Sequence, residues 1–189
     1  MKAITTALKV LFMMTILTGI VYPVLVTSIA RTFFQEKADG SLITFQGKII
    51  GSQLIGQRFD SIIWFTSRPS AINYAPLPSG GSNFGPTNKI FLNLVKERNV
   101  TFVHKNLLND STKVPSEMLY ASASGLDPHI SPRAALLQVD RIAKARGFNK
   151  KQTEKLYALI DRMTEMPQFH LFGEKRINVF MLNLELDKI

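Results

Sequence analysis

From Val10 to Ala30 the chain runs without a single charged residue, closed by Lys9 on one side and Arg31 on the other. At 1.5 Å of rise per residue this stretch reaches about 30 Å, the thickness of a bilayer's hydrocarbon core. Ser28-Ile29-Ala30 has the small-x-small form of a processing site. The apolar region of a cleavable leader is usually only about 7–15 residues, however, so the length favours a retained membrane helix. Thr15, Thr18, Gly19 and Tyr22 fall at i, i+3, i+4 and i+7 within it. That spacing predicts one face where small and hydroxyl side chains let a second helix approach closely. Pro23 predicts a bend, because its ring clashes with the preceding turn.

Beyond the connection at 31–40 the pattern changes to that of a folded domain at 41–189. Leu42-Ile43-Thr44-Phe45 and Lys48-Ile49-Ile50 flank Gln46-Gly47, which predicts a hairpin whose glycine has positive φ. Ser61–Phe65 and Val100–His104 read as further strands. Between them, residues 66–88 are rich in proline and glycine and weak in periodic apolar positions, a long loop of the kind that tends to be functional. A helix follows with Phe91, Leu94, Val95 and Arg98 on one side. Ser131-Pro132 predicts a helix start and Gly147 its stop, with Ala135, Val139, Ile142 and Ala143 facing the core. Asn149 with Gln152 forms a capping-box pattern for a second helix, whose buried stripe is Leu156, Leu159, Ile160 and Met163. Phe180, Leu182, Leu184 and Leu186 alternate with polar or exposed positions and read as a final strand. The expected fold class is therefore α/β in the α+β sense, with one N-terminal transmembrane helix and a single mixed domain.

Composition narrows the chemistry. There is no cysteine, which removes disulfides, thiol nucleophiles and cysteine-ligated metals together. Net charge is +9, of which Lys2, Lys9 and Arg31 supply three. The densest basic run is Arg141, Lys144, Arg146, Lys150, Lys151 and Lys155; it reads first as a solvated helical face, and second as a surface for anionic lipid, nucleic acid or an acidic protein. Lys2 and Lys9 lean towards an inside N-terminus, partly offset by Arg31 and Lys37.

Catalytic patterns are missing. His104, His129 and His170 lack any metal-binding spacing. Ser122, Ser124, Asp127 and His129 bring hydrolase-like residue types together, yet without a G-x-S-x-G elbow, and Ser124-Gly125 and Asp127-Pro128 have turn chemistry. Ser79-Gly80-Gly81-Ser82-Asn83 could cradle an anion and is similar to the signature loop of ABC transporters, but no Walker pattern accompanies it. From the residues alone the chain reads as a membrane-anchored, non-catalytic α/β domain.

Five blocks in order resemble one family. They are Gly51–Gln57 with Phe59; Trp64-Phe65 with Arg68-Pro69-Ser70-Ala71; Ser79–Asn83; Ala121–Pro132 followed by Ala134-Ala135, Gln138, Arg141 and Ala143–Arg146; and the terminal Asn178-Val179 with Leu182-Asn183-Leu184 and Leu186-Asp187. Together with Val21-Tyr22-Pro23 they resemble the C-subunit family of the Kdp potassium-transporting ATPase.

The resemblance implies a single-pass subunit of the inner membrane, with residues 1–9 cytoplasmic, 10–30 in the bilayer and the domain extracytoplasmic. Its implied partners are a potassium-binding, channel-like subunit, a P-type ATPase subunit and a very small membrane subunit. ATP is implied for the complex; no cofactor or metal is expected on this chain, and no nucleic acid. The family is described as a catalytic chaperone that raises the nucleotide affinity of the ATPase subunit. Ser79, Gly80, Gly81, Ser82, Asn83 and Gln138 are then expected to contact nucleotide or a partner, and Thr15, Thr18, Gly19 and Tyr22 to dock on partner helices. An outer domain lies across about 30 Å of hydrocarbon from ATP, so any effect on its affinity would be indirect. A membrane-tethered extracytoplasmic hydrolase using Ser124, Asp127 and His129 is the alternative reading.

Overall fold

The computed structural model describes residues 2–189. It divides into two compact units, Met1–Ser52 and Gln53–Ile189. In the first unit a helix runs from Lys2 to Phe33 with the length and hydropathy of a membrane span. It comprises α1 (Lys2–Ile16), a π-helical turn (Leu17–Val21) and α2 (Tyr22–Phe33). The widened turn has a local cause. Pro23 carries no N–H to offer Gly19 and its ring crowds that carbonyl, and a π turn relieves both. The Tyr22 N–H accordingly donates five residues back, to Leu17 O. Pro23 thus produces a π turn in the helix that precedes it.

That turn alters the expected stripe. One extra residue in the winding rotates everything beyond it by about 100° relative to an α-helical wheel. Tyr22 therefore leaves the line through Thr15 and Thr18, and Pro23 moves into it. The hydroxyls of Thr15 and Thr18 donate to Leu11 O (2.8 Å) and Met14 O (2.7 Å), so both are satisfied inside their own helix. A short helix, α3 (Gln35–Ala38), leads into an antiparallel hairpin of β1 (Leu42–Phe45) and β2 (Lys48–Ser52). Gln46 and Gly47 both have positive φ, the two-residue turn expected there.

The second unit packs helices around one small ladder. Its elements are α4 (Lys89–Lys105), β3 (His129–Ile130), α5 (Pro132–Leu136), α6 (Val139–Arg146), α7 (Lys150–Met163), β4 (Ile177–Asn178) and α8 (Val179–Leu186), with β3 and β4 antiparallel. Phe65, Ala134, Ala135, Val139, Ile142, Leu156, Ile160, Ile177, Leu182 and Leu186 form the dry centre. The Asn149–Gln152 capping box and the left-handed Gly147 stop are both present. One transmembrane-type helix followed by a mixed helix-and-sheet domain is the α+β class expected.

Four local readings are corrected. Val100–His104 lies inside α4, where Phe102 and Val103 are buried. The C-terminal alternation is α8: Val179, Leu182, Asn183 and Leu186 are buried at i, i+3, i+4 and i+7. The helix from Ser131 is broken into α5 and α6 at Leu137-Gln138. There the Gln138 side chain donates to Ala134 O (3.1 Å), taking the acceptor that its own N–H would use in an unbroken helix, and that N–H turns to Ala135 O (3.0 Å).

Ser61–Phe65 is an irregular segment whose backbone is bonded by side chains instead of a neighbouring strand. Arg141 Nη1 donates to Ile62 O and Nη2 to Trp64 O (3.0 Å), while Arg146 Nε donates to Ile63 O (2.9 Å). Asn183 bonds both backbone groups of Phe65, and Gln138 bonds both of Thr66. The requirement that buried peptide groups be paired is met by side chains of α6, α8 and the break before α6.

Candidate functional site

The recognisable loops meet along the segment 121–131. Gly56 N–H donates to Leu126 O at 2.7 Å, and a Cβ at Gly56 would lie 2.8 Å from Asp127 O. Gly80 N–H donates to Ser124 O at 3.1 Å, and a Cβ at Gly81 would lie 2.9 Å from Ala123 O. Glycine is thus required at 56 and 81 by close backbone approach, with no ligand involved. Around a Cβ at Gly80, in contrast, space is open to 4 Å. Asn83 adopts a left-handed conformation, φ +51°. Gly81, Ser82 and Asn83, with Phe84, Phe91 and Tyr120, line a shallow pocket of about 220 Å³.

Beside this junction lies a larger open cleft of about 930 Å³. Its floor is ionic. Arg68 Nη1 donates to Asp127 Oδ2 at 2.6 Å, and His129 donates to Asp127 Oδ1 from its backbone N–H (3.0 Å) and from ring Nδ1 (3.1 Å). A carboxylate only accepts, so the proton sits on Nδ1. Burial alone would push Asp127 up, but the hydrogen bonds from His129 and Arg68 outweigh it and bring the carboxyl down to about 2.

One wall of the cleft is a second hairpin. Glu165 and Arg176 exchange both backbone hydrogen bonds (2.8 and 3.1 Å) and form an ion pair at 2.9 Å. Phe169 and His170 turn the chain with positive φ. The tip exposes Phe169 (80%), Leu171 (74%) and Phe172 (63%). Three large apolar groups are thus exposed together on one turn, an unusual concentration for a surface in water. The local signal for this hairpin is Phe169, Leu171 and Phe172 within four residues just beyond Pro167.

The candidate residues fall into separate places. Ser79–Asn83 is on the loop junction. Gln138 is fully enclosed, its amide committed to Thr66, Ala134 and Arg141, so in this conformation it braces the core and presents nothing to solvent. Asp127 and His129 do pair. Ser124 Oγ accepts the Leu126 N–H (3.1 Å), the turn role expected of it, and Ser122 Oγ accepts that of Asp127 (3.5 Å). The basic run also divides. Arg141 is buried, with its pKa pushed down to about 10 by desolvation, and Arg146 stacks 4.5 Å over Trp64. Lys144, Lys150, Lys151 and Lys155 remain as an exposed helical face. Among the described residues no three His, Asp or Glu side chains cluster in a metal-holding arrangement.

The family model described as "KdpC: K+-transporting ATPase, c chain" matches residues 4–188. A potassium-transporting ATPase KdpC subunit of Geotalea uraniireducens is 48% identical, covering 100% of this chain and 99% of that protein. Proteins of the same name from Geobacter metallireducens and Leptospira interrogans are 44% and 41% identical, covering 100% and 99% of this chain and 99% and 94% of theirs. The chain belongs to the KdpC family, the c chain of the potassium-transporting ATPase.

Proposed function

We propose that this chain is a non-catalytic subunit that holds the potassium-transporting complex together through its folded domain. The observation that carries the reading is the cleft beside the loop junction, with an ionic floor at Arg68, Asp127 and His129, next to the hairpin tip that exposes Phe169, Leu171 and Phe172. An exposed apolar cluster beside a polar patch, which a partner would desolvate on docking, is the form of a protein-binding hot spot. Nothing in the floor is arranged to attack a substrate, since both nearby serines serve turns.

On this reading the membrane helix sits in the inner membrane with its N-terminus cytoplasmic, and the domain is extracytoplasmic. The domain docks on the outer surface of the potassium-binding, channel-like subunit, and the helix packs beside that subunit, the P-type ATPase subunit and the small membrane subunit. The domain would then lie across the bilayer from ATP. Raised nucleotide affinity of the ATPase subunit is accordingly a coupling free energy between distant sites, transmitted by stabilising one state of the complex. Ser79–Asn83, including the sterically free Gly80, forms part of the protein contact.

Co-purification from native membranes tests this. Replacing Phe169 and Leu171 by serine together is expected to release the tagged chain from its partners while its own melting temperature stays unchanged. Full retention of the partners by this variant would overturn the docking role of the tip.

A further inference from the structure

Within the first unit the extensive packing of β1 and β2 is with each other, and a two-stranded hairpin without further support is marginal in water. Leu42, Phe45 and Ile49 are exposed on it, Phe45 by 59% and Ile49 by 64%. We propose that this hairpin is a membrane-interface element, seated among lipid headgroups beside the point where the helix leaves the bilayer. The inference rests on the helix spanning the membrane.

Three observations commit it to lipid. The first is position. The uncharged run ends at Ala30, which places Phe33 and Phe34 at the edge of the hydrocarbon. The connection does not lead away from there: Ser41 N–H donates to Glu36 O at 2.9 Å, and Ser52 Oγ donates to Gly40 O at 2.7 Å. Both ends of the hairpin are thereby fastened within a few residues of Phe34. Headgroup regions extend only about 5–7 Å beyond the hydrocarbon on each side, so a hairpin held this closely meets them.

The second is chemistry. Phe33 and Phe34 at the helix end continue into Leu42, Phe45 and Ile49, with Arg31, Lys37 and Lys48 interspersed. Aromatic and aliphatic groups beside long cationic side chains suit a layer that is apolar on one side and wet and phosphate-rich on the other. Lys48 stands directly across the ladder from Phe45, so its stem can cover the ring while its ammonium reaches a phosphate. The third is shape. A bulge between Ile43 and Thr44 bends the ladder and unsettles its alternation, which suits a surface layer better than packing into a sheet.

The native chain has no cysteine, so single reporters are unambiguous. The full-length chain is reconstituted in vesicles of phosphatidylethanolamine and phosphatidylglycerol, with an environment-sensitive fluorophore on Phe45→Cys or Ile49→Cys. Ile16→Cys reports the span, and Lys151→Cys reports exposed domain surface. Quenchers carried on lipid chains near the headgroup should reduce Phe45→Cys and Ile49→Cys emission roughly twofold, as expected for groups about 5–10 Å into the interface, and leave Lys151→Cys unchanged. If both hairpin reporters respond to aqueous iodide as Lys151→Cys does and ignore the lipid quenchers, the proposal is wrong. Failure of Ile16→Cys to be quenched by lipid would remove the span and the proposal with it. Reporters shielded from iodide but not reached by lipid quenchers would show that protein covers the hairpin, which also overturns it.

Discussion

The side-chain amide of Asn183 pairs with both backbone groups of Phe65, accepting its N–H at 2.8 Å and donating to its carbonyl at 2.9 Å. Asn183 and Phe65 are both buried, so the pair does for this segment what a neighbouring strand would do. Replacing Asn183 by leucine strands two polar groups in the core, and the expected loss is about 2–4 kcal/mol, read as a drop in melting temperature of the full chain in detergent. Asn183→Asp should be comparably damaging, because it keeps the acceptor, loses the donor and buries a charge.

Arg141 holds Ile62 and Trp64 carbonyls together with Asn106 Oδ1 and Gln138 Oε1. Its fork spans directions that one ammonium cannot, so Arg141→Lys is expected to cost about 2–3 kcal/mol despite keeping the charge. Lys144→Gln on the exposed face of the same helix should change stability by less than about 0.5 kcal/mol. Equal effects in the two variants, by denaturant titration, would contradict the bracing role.

Asp127 has its carboxyl lowered from 3.8 to about 2 in the folded chain. A depressed acid contributes stability above its unfolded pKa and loses it as pH falls through the folded one, here between about pH 4 and pH 2. The carboxylate is partly exposed, which holds the contribution to about 1–2 kcal/mol. Asp127→Asn should therefore be less stable than the native chain at pH 7 and show a shallower decline across that window in acid-titrated unfolding.

Gly80 and Gly81 separate structure from contact. Gly81→Ala would set a Cβ against the Ala123 carbonyl and should cost about 1–3 kcal/mol. Gly80→Ala meets open space, so it should leave melting unchanged. Weakened co-purification with Gly80→Ala at unchanged stability would place this loop in the partner contact.

Much of the architecture was readable locally, because caps and turns announce themselves through neighbouring residues. Ser131-Pro132, Asn149 with Gln152, Gly147 and Gln46-Gly47 each do in the structure what their chemistry requires. The misread elements are those whose state is decided at long range. Asn-Val-Thr-Phe-Val-His at 99–104 has strand-forming composition, but burial of Phe102 and Val103 on the domain keeps it helical. Alternation in the last segment suggested a strand, although Asn178, which caps α8 by accepting the Met181 N–H, was a start signal that went unread. Phe65 illustrates the limit best, since its hydrogen-bond partner is 118 residues away. The cleft was equally invisible, because Arg68, His129 and Phe172 are assembled only by the fold.

On the proposed function the chain acts on the pump without holding its nucleotide, which equilibrium ATP binding can decide. Full-length chain in detergent should show no saturable affinity tighter than about 1 mM, while adding it to the other subunits should tighten their apparent affinity for ATP. Saturable sub-millimolar binding by the chain alone, abolished by Gly80→Ala, would show instead that this chain holds nucleotide itself.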